Sequence, residues 1–316
     1  MNHIKTIAQE LGLNEKAVEA AVNLIDEGNT IPFIARYRKE ATGSMDDQVL
    51  RKLGERLDYL RGLDKRRDEV KRSIEEQGAM TEELAQKLEA AETLARLEDL
   101  YRPYRPKRKT RASVARARGL APLAELLLAQ NSGTDPEKAA ADYLSGEVPD
   151  TAAALAGARD ILAEQFSDDA ALRQELRELY QRTALLASKA ADAEKESVYE
   201  QYYDYAEPVS KVAGHRILAV DRGEREGFLK VSIQAESGQA AALLRRRFVR
   251  AGGGPSAAQV TLAAQDAYDR LLHPSLEREL RSELTARAAE GAIAVFGENL
   301  RQLLLQPPIR GKTVMG

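Results

Sequence analysis

The sequence predicts a mainly α-helical protein. It reads as a multihelical array with a helix-turn-helix-like N-terminal unit, a long helical hairpin, one small β-hairpin and a long central C-terminal helix. Three observations predict this. Leu, Ala, Glu and Arg, all strong helix formers, dominate a chain in which aromatics are only 5%. Proline, which breaks helices, is absent from Arg36 to Arg102 and from Asp150 to Glu207. Apolar residues recur at spacings of three and four, which gathers them on one helical face.

The first element is two short helices. Ile4 to Leu11 ends at Gly12, a glycine suited to the left-handed position after a helix. Asn14 caps the next helix, which runs to about Glu27 and stops at Gly28. Ala8, Gly12 and Val18 have helix-turn-helix spacing. The second helix, however, carries Glu15, Glu19, Asp26 and Glu27 against one lysine, a balance that phosphate repels. This unit is therefore expected to pack on protein rather than read a DNA groove.

Ser44 and Asp47 resemble a capping box opening a long helix from about Met45 to Gln77. Its stripe is Leu50, Leu53, Leu57, Leu60, Leu63, Val70 and Ile74. A second helix from about Thr81 to Leu100 returns antiparallel to it. Helices are expected through Leu120 to Leu128 and over 136–144 and 151–165. Another covers 168–190 and continues to Ala206. Ile217–Val220 and the alternating Phe228, Val231 and Ile233, joined by a turn-rich link, predict a β-hairpin. Helix resumes near Ser237 and breaks at Gly252–Pro255. From Pro274 to about Gln306 apolar residues recur every four positions: Leu276, Leu280, Leu284, Ala288, Ala292, Phe296, Leu300 and Leu304. A period of four drifts round a helix of 3.6 residues per turn, so this helix should be contacted on several sides. The last residues, KTVMG, read as the opening of a strand in a further domain. The expected division is 1–100, 101–206, 207–306 and 307–316.

The 316 residues suffice for about two domains at ~150 residues each. There is no cysteine, which excludes disulfides, thiolate metal sites and thiol nucleophiles. The histidines are His3, His215 and His273, too scattered for a zinc site. The sequence shows no apolar run long enough to span a membrane and no secretory signal, so a cytoplasmic location is expected. Gly311-Lys312-Thr313 fails as a phosphate loop, because the glycine required five residues upstream is Gln306. The acid pairs Asp46-Asp47 and Asp168-Asp169 sit at helix starts, where capping explains them. No catalytic constellation, cofactor site or metal site is read from the sequence.

The sharpest signal is basic. Arg102, Arg105, Lys107, Arg108, Lys109, Arg111, Arg116 and Arg118 cluster with no acid among them, and Tyr101 and Tyr104 are interleaved where they could stack on bases. The net charge is −3, and setting these eight cations aside from 47 leaves 39 basic residues against 50 acidic. The cluster should therefore meet either nucleic-acid phosphate or carboxylates elsewhere in the fold. A second patch is Arg245, Arg246, Arg247 and Arg250 around Phe248. It lies at a helix end, where the dipole also favours cations.

Four segments carry a resemblance: TIPFIARYRKEATGSMDD, DLYRPYRPKRKTRASVARARGLAPLA, HRILAVDRGEREGFLKV and LLHPSLERELRSELTARAAEGAIAVFGENLRQLLLQPP. Together, and in order over essentially the whole chain, they resemble the bacterial Tex family. These are transcription accessory proteins related to a eukaryotic elongation factor that binds histones and RNA polymerase. The resemblance implies a multihelical N-terminal region followed by a YqgF (RNase-H-like) domain, helix-hairpin-helix repeats and an OB-fold domain that carries most of the nucleic-acid binding. This chain stops at VMG, where that RNase-H-like domain would begin. It transfers no catalytic residue. The implied role is a non-enzymatic scaffold that contributes to RNA or DNA binding in transcription through Arg102–Arg118. The alternative is a protein-docking module for RNA polymerase or ribosome-associated partners with no direct nucleic-acid contact.

Overall fold

The computed structural model describes residues 2–106, 109–306 and 311. The chain forms two compact units, Met1–Pro106 and Lys107–Gly316. The first is all helical: α1 (His3–Leu11), α2 (Glu15–Asp26), α3 (Ile31–Tyr37), α4 (Asp47–Glu76), α5 (Glu82–Glu89) and α6 (Leu94–Tyr101), then a 3₁₀ turn at Arg102–Tyr104. The second contains α7 (Arg111–Ala117), α8 (Ala121–Ala129), α9 (Pro136–Ala141), α10 (Thr151–Ser167), α11 (Ala170–Thr183), β1 (Leu185–Ala190) and β2 (Asp204–Pro208). It continues with α12 (Gly214–Arg225), β3 (Leu229–Gln234), α13 (Ser237–Phe248), α14 (Gly254–Asp266) and α15 (His273–Leu304).

The N-terminal turn matches its sequence signals. Gly12 takes φ +65° and its N–H returns to the Ala8 carbonyl, while the Asn14 side chain caps Lys16 N–H at 2.9 Å. Ala8 and Val18 are buried between α1 and α2. The long helix α4 buries every residue of its expected stripe. Its cap is not the expected Ser44. Asp46 accepts the Val49 N–H at 2.8 Å, and Ser44 is spent on a left-handed turn at φ +63°.

The returning arm of the hairpin is two helices rather than one. Thr93 caps a new helix by accepting the Arg96 N–H at 3.2 Å, which breaks the arm between α5 and α6. The break orphans carbonyls at the end of α5. Arg67 of α4, 3% exposed, donates Nε to the Leu88 carbonyl at 3.0 Å and Nη2 to the Ala91 carbonyl at 2.9 Å. A buried guanidinium thus completes the hydrogen bonding that the helix break leaves open.

In the second unit the expected β-hairpin is corrected to a three-stranded antiparallel sheet of order β2-β1-β3. Ile217–Val220 is helical: Ile217 and Val220 share the buried face of α12. The partner strands come from the segment expected to be helix. Leu186 pairs with Glu207 on one side and Ile233 on the other, and the buried Ser188 hydroxyl donates to the Tyr202 carbonyl at 2.6 Å. Residues 185–190, LLASKA, hold no β-branched side chain. Pairing on both edges overrides their helical propensity.

The core includes Leu123, Leu155, Phe166, Leu176, Tyr180 and Leu276. Helix continues from α14 into α15 through a π-helical turn at Ala267–Leu272, so Pro274 does not begin it. The wide turn accommodates the missing proline N–H. Along α15 the period-four run is buried only as far as Ala288. Phe296 is 67% exposed and Leu304 76%. The expectation of contact on several sides along its whole length therefore does not hold for its last half. No helix among the described residues is long and apolar enough to cross a membrane.

Candidate nucleic-acid interface

The residues of the expected interface are divided between the two units, and those of each unit are described by themselves. In the first unit Tyr101 ends α6 and is buried, with its hydroxyl 2.9 Å from Ser73 Oγ and the Arg66 guanidinium 5.5 Å from the ring centroid. Both faces of its chemistry are committed, so the expectation that Tyr101 stacks on bases is corrected: it is a packing residue. Arg102 lies half-buried in the 3₁₀ turn. Tyr104 is half-buried, and its carbonyl accepts from the Gln77 amide at 2.9 Å. Arg105 is exposed and has no acidic partner among the described residues.

Lys107 and Arg108 lie outside the described residues. In the second unit Lys109 is exposed and likewise without a carboxylate among the described residues. Thr110 then caps α7 through a capping box with Ser113, which orients the helix that carries the remaining cations. Arg111 is exposed and close enough to Asp160 to act on it electrostatically. Arg116 donates to Glu164 at 2.6 Å, a carboxylate whose side chain is only 10% exposed and which also accepts from the Thr110 hydroxyl at 3.0 Å. Arg118 meets Glu147 at 3.4 Å. The two readings of the basic segment therefore divide it. Arg116 and Arg118 meet acids, while Arg105, Lys109 and Arg111 project without an ion-pair partner among the described residues. Glu164, the anchor of this end, carries no sequence signal, because it is one of many glutamates on helical surfaces.

The second patch is largely neutralised. Arg246 meets Glu175 at 3.2 Å, Arg247 meets Asp169 at 2.9 Å, and Arg250 donates to the Ala129 carbonyl at 2.9 Å. Arg245 is exposed, with no bonded partner for its side chain among the described residues. Phe248 stacks on Phe166 with centroids 3.9 Å apart and rings 13° from parallel, so it serves the core. The cleft beside this patch, of about 410 Å³ between α11 and α13, is lined by Glu175 and Glu178 as well as Arg182 and Arg246, so its charges balance.

The histidines do not converge. His3 pairs with Asp64 at 2.6 Å, His215 is exposed, and His273 Nδ1 sits 2.6 Å from the Tyr180 hydroxyl, which also meets that of Tyr268 at 3.0 Å. Burial pushes the Tyr180 phenol well above its usual range and raises that of Tyr268. This polar cluster lies against the π-helical turn. Among the described residues no three His, Asp or Glu side chains gather to hold a metal ion.

Comparison with known proteins follows the same division of the chain. The pattern described as Tex-like protein N-terminal domain matches residues 1–75, and that described as Tex central region-like matches 131–296. The chain is 44% identical over 315 residues to the uncharacterised protein YdcI of Bacillus subtilis, covering 98% of this chain and 44% of the relative. It is 41% identical to the transcriptional accessory protein Tex of Neisseria gonorrhoeae, covering 100% of this chain and 42% of the relative. It is 29% identical to the human S1 RNA-binding domain-containing protein 1, over 99% of this chain and 33% of that protein. The chain thus spans less than half the length of these curated relatives.

Proposed function

The chain belongs to the Tex family of transcription accessory proteins, and from that premise we propose that it is a helical scaffold that helps hold RNA or DNA during transcription, without a catalytic step of its own. The contact surface is the basic segment, whose exposed cations are Lys109 and Arg111 in the second unit and, in the first, Arg105. One observation carries the reading: these cations stand exposed without a carboxylate ion pair among the described residues, in a chain that otherwise commits many arginines to acids. In the second unit a helix capped by Thr110 and anchored through Arg116 to Glu164 carries Arg111 in its first turn, with Lys109 just before it. The names of the relatives agree with it, one being a transcriptional accessory protein and another an S1 RNA-binding domain-containing protein.

Phosphate contacts of this kind release counterions, so affinity falls with salt by about 0.9 log units per neutralised phosphate on duplex and about 0.7 on single strands. The test is an anisotropy titration over a salt series, comparing the parent with a variant carrying Lys107→Gln, Arg108→Gln, Lys109→Gln and Arg111→Gln. The expected result is weaker binding with a shallower salt slope. A variant that binds like the parent overturns the reading.

The second reading, docking to a protein partner such as RNA polymerase or a ribosome-associated factor, is favoured by α2. It exposes Glu15 and Glu19 beside the buried Val18 and Val22, with Glu27 just beyond its end. Such a surface suits a basic protein face and repels nucleic acid.

A further inference from the structure

The loop and helix around α3 present a combination found nowhere else among the described residues. Phe33 and Tyr37, one helical turn apart, lie on the exposed face with ring centroids 5.2 Å apart. Phe33 is 37% exposed and Tyr37 61%. Each ring carries a guanidinium: Arg38 lies 5.6 Å from the Phe33 centroid and Arg36 lies 6.0 Å from that of Tyr37. Lys39 follows, also exposed. None of these three cations has a carboxylate partner among the described residues, although Glu40 is adjacent in the chain. Arginines on the neighbouring α4 behave differently. Arg51, Arg56, Arg61 and Arg66 hold Asp47, Glu10, Asp26 and Glu98 at 2.6 to 2.7 Å.

The platform beneath is built rigidly. Ile34 is fully buried, and a Cβ on Gly54 of α4 would lie 3.2 Å from Ile31, so α3 seats closely on α4. Past the helix, the buried Thr42 hydroxyl donates to the Arg38 carbonyl at 3.2 Å, and Ser44 N–H donates to the Lys39 carbonyl at 2.7 Å. Ser44 itself holds φ +63°, a strained conformation for a residue with a side chain. The backbone carrying Arg38 and Lys39 is therefore fixed while their side chains point to water.

We propose that this face binds an unpaired stretch of nucleic-acid strand, with a base stacked at Tyr37 and flanking phosphates on Arg36, Arg38 and Lys39. Exposed aromatic faces with interleaved cations are what single strands require, because every base has a π-face and every nucleotide a phosphate. A duplex keeps its bases stacked internally and cannot use the rings. Base stacking and phosphate contacts do not involve the 2′-hydroxyl, so RNA and DNA strands should bind alike. The site is independent of the basic segment.

The chain has no tryptophan, so Tyr37→Trp installs a single reporter at an exposed position. Titration with a twelve-nucleotide uridine RNA should quench its emission, and the deoxythymidine strand should do so within a few-fold of the same affinity. Adding Arg36→Gln, Arg38→Gln and Lys39→Gln should weaken binding about tenfold or more and flatten the salt slope by about two log units. Circular dichroism of the variants should match that of the parent, because the changed side chains are exposed. The four-site basic-segment variant should leave the quench in place, which separates failure of this site from failure of the proposed function. An unquenched reporter, equal or tighter binding of duplex, or dependence on the 2′-hydroxyl overturns the proposal.

Discussion

Arg67→Met removes the guanidinium that closes the break between α5 and α6. Methionine retains most of the aliphatic volume, so the cost is in hydrogen bonding rather than in a cavity. The Leu88 carbonyl keeps a bond from Ala91 N–H at 3.3 Å. The Ala91 carbonyl loses the Nη2 bond of 2.9 Å in a buried setting. One unsatisfied buried carbonyl costs about 1–3 kcal/mol, and the weakened second bond adds about 1. Asp64 also loses Arg67, but it keeps His3 and is partly in water. The expected loss is therefore about 2–4 kcal/mol, confined to the first unit. Urea denaturation followed by circular dichroism reads the total. Hydrogen exchange over residues 82–101 locates it. Arg67→Lys, which can reach one carbonyl only, should fall between. A loss below about 0.5 kcal/mol, or faster exchange only in the second unit, refutes the role assigned to Arg67.

Phe248→Ala should cost about 2–4 kcal/mol by removing the stack on Phe166, while leaving the salt dependence of nucleic-acid binding unchanged, because Phe248 is a core residue. On α15, Leu276→Ala should cost about 3 kcal/mol in thermal or urea unfolding, whereas Phe296→Ala, which is exposed, should stay within about 0.5 kcal/mol. Acid should weaken the first unit. Hydrogen bonds from Arg56, Arg61 and Lys71 hold Glu10, Asp26 and Glu89 below the usual carboxylate range. A depressed folded value gives stability that is present above the unfolded carboxylate pKa and is lost as pH falls through the folded one, so the loss falls below about pH 4. It is modest because the pairs are exposed. Melting curves from pH 7 to pH 3 should show it, and Arg56→Gln with Arg61→Gln should reduce it.

The parts of the fold written in periodicity and caps are legible in the chain. The stripe of α4, Gly12 at its left-handed turn and Asn14 at its cap each act locally, so spacing alone reveals them. The sheet is not local. Residues 185–190 read as helix because Leu, Ala and Lys favour it, and only pairing with two distant segments makes them a strand. Ile217–Val220 fails for the converse reason. A short apolar run has no period to decide between strand and helix, and the second helical face of α12 is set by packing on α15.

The candidate site divides in the same way. Charge clustering flagged the basic segment. Which cations are spent depends on Glu164 and Glu147, which lie 48 and 29 residues from their partners Arg116 and Arg118. Tyr101 looked like a stacking residue because its partners Ser73 and Arg66 come from the far side of the hairpin. The aromatic pair at Phe33 and Tyr37 has a local signal, an i and i+4 spacing with the basic residues Arg36, Arg38 and Lys39 around Tyr37. Its exposure becomes visible only once Ile34 is seen to take the buried face.

The most direct test of the central claim is photo-crosslinking of a 4-thiouridine RNA to the chain, with adducts mapped by mass spectrometry. The account predicts adducts within residues 105–118 that are lost in the variant at Lys107, Arg108, Lys109 and Arg111, while adducts at Tyr37 persist in it. A complex whose adducts avoid that segment, or concentrate at residues 245–250, would contradict it.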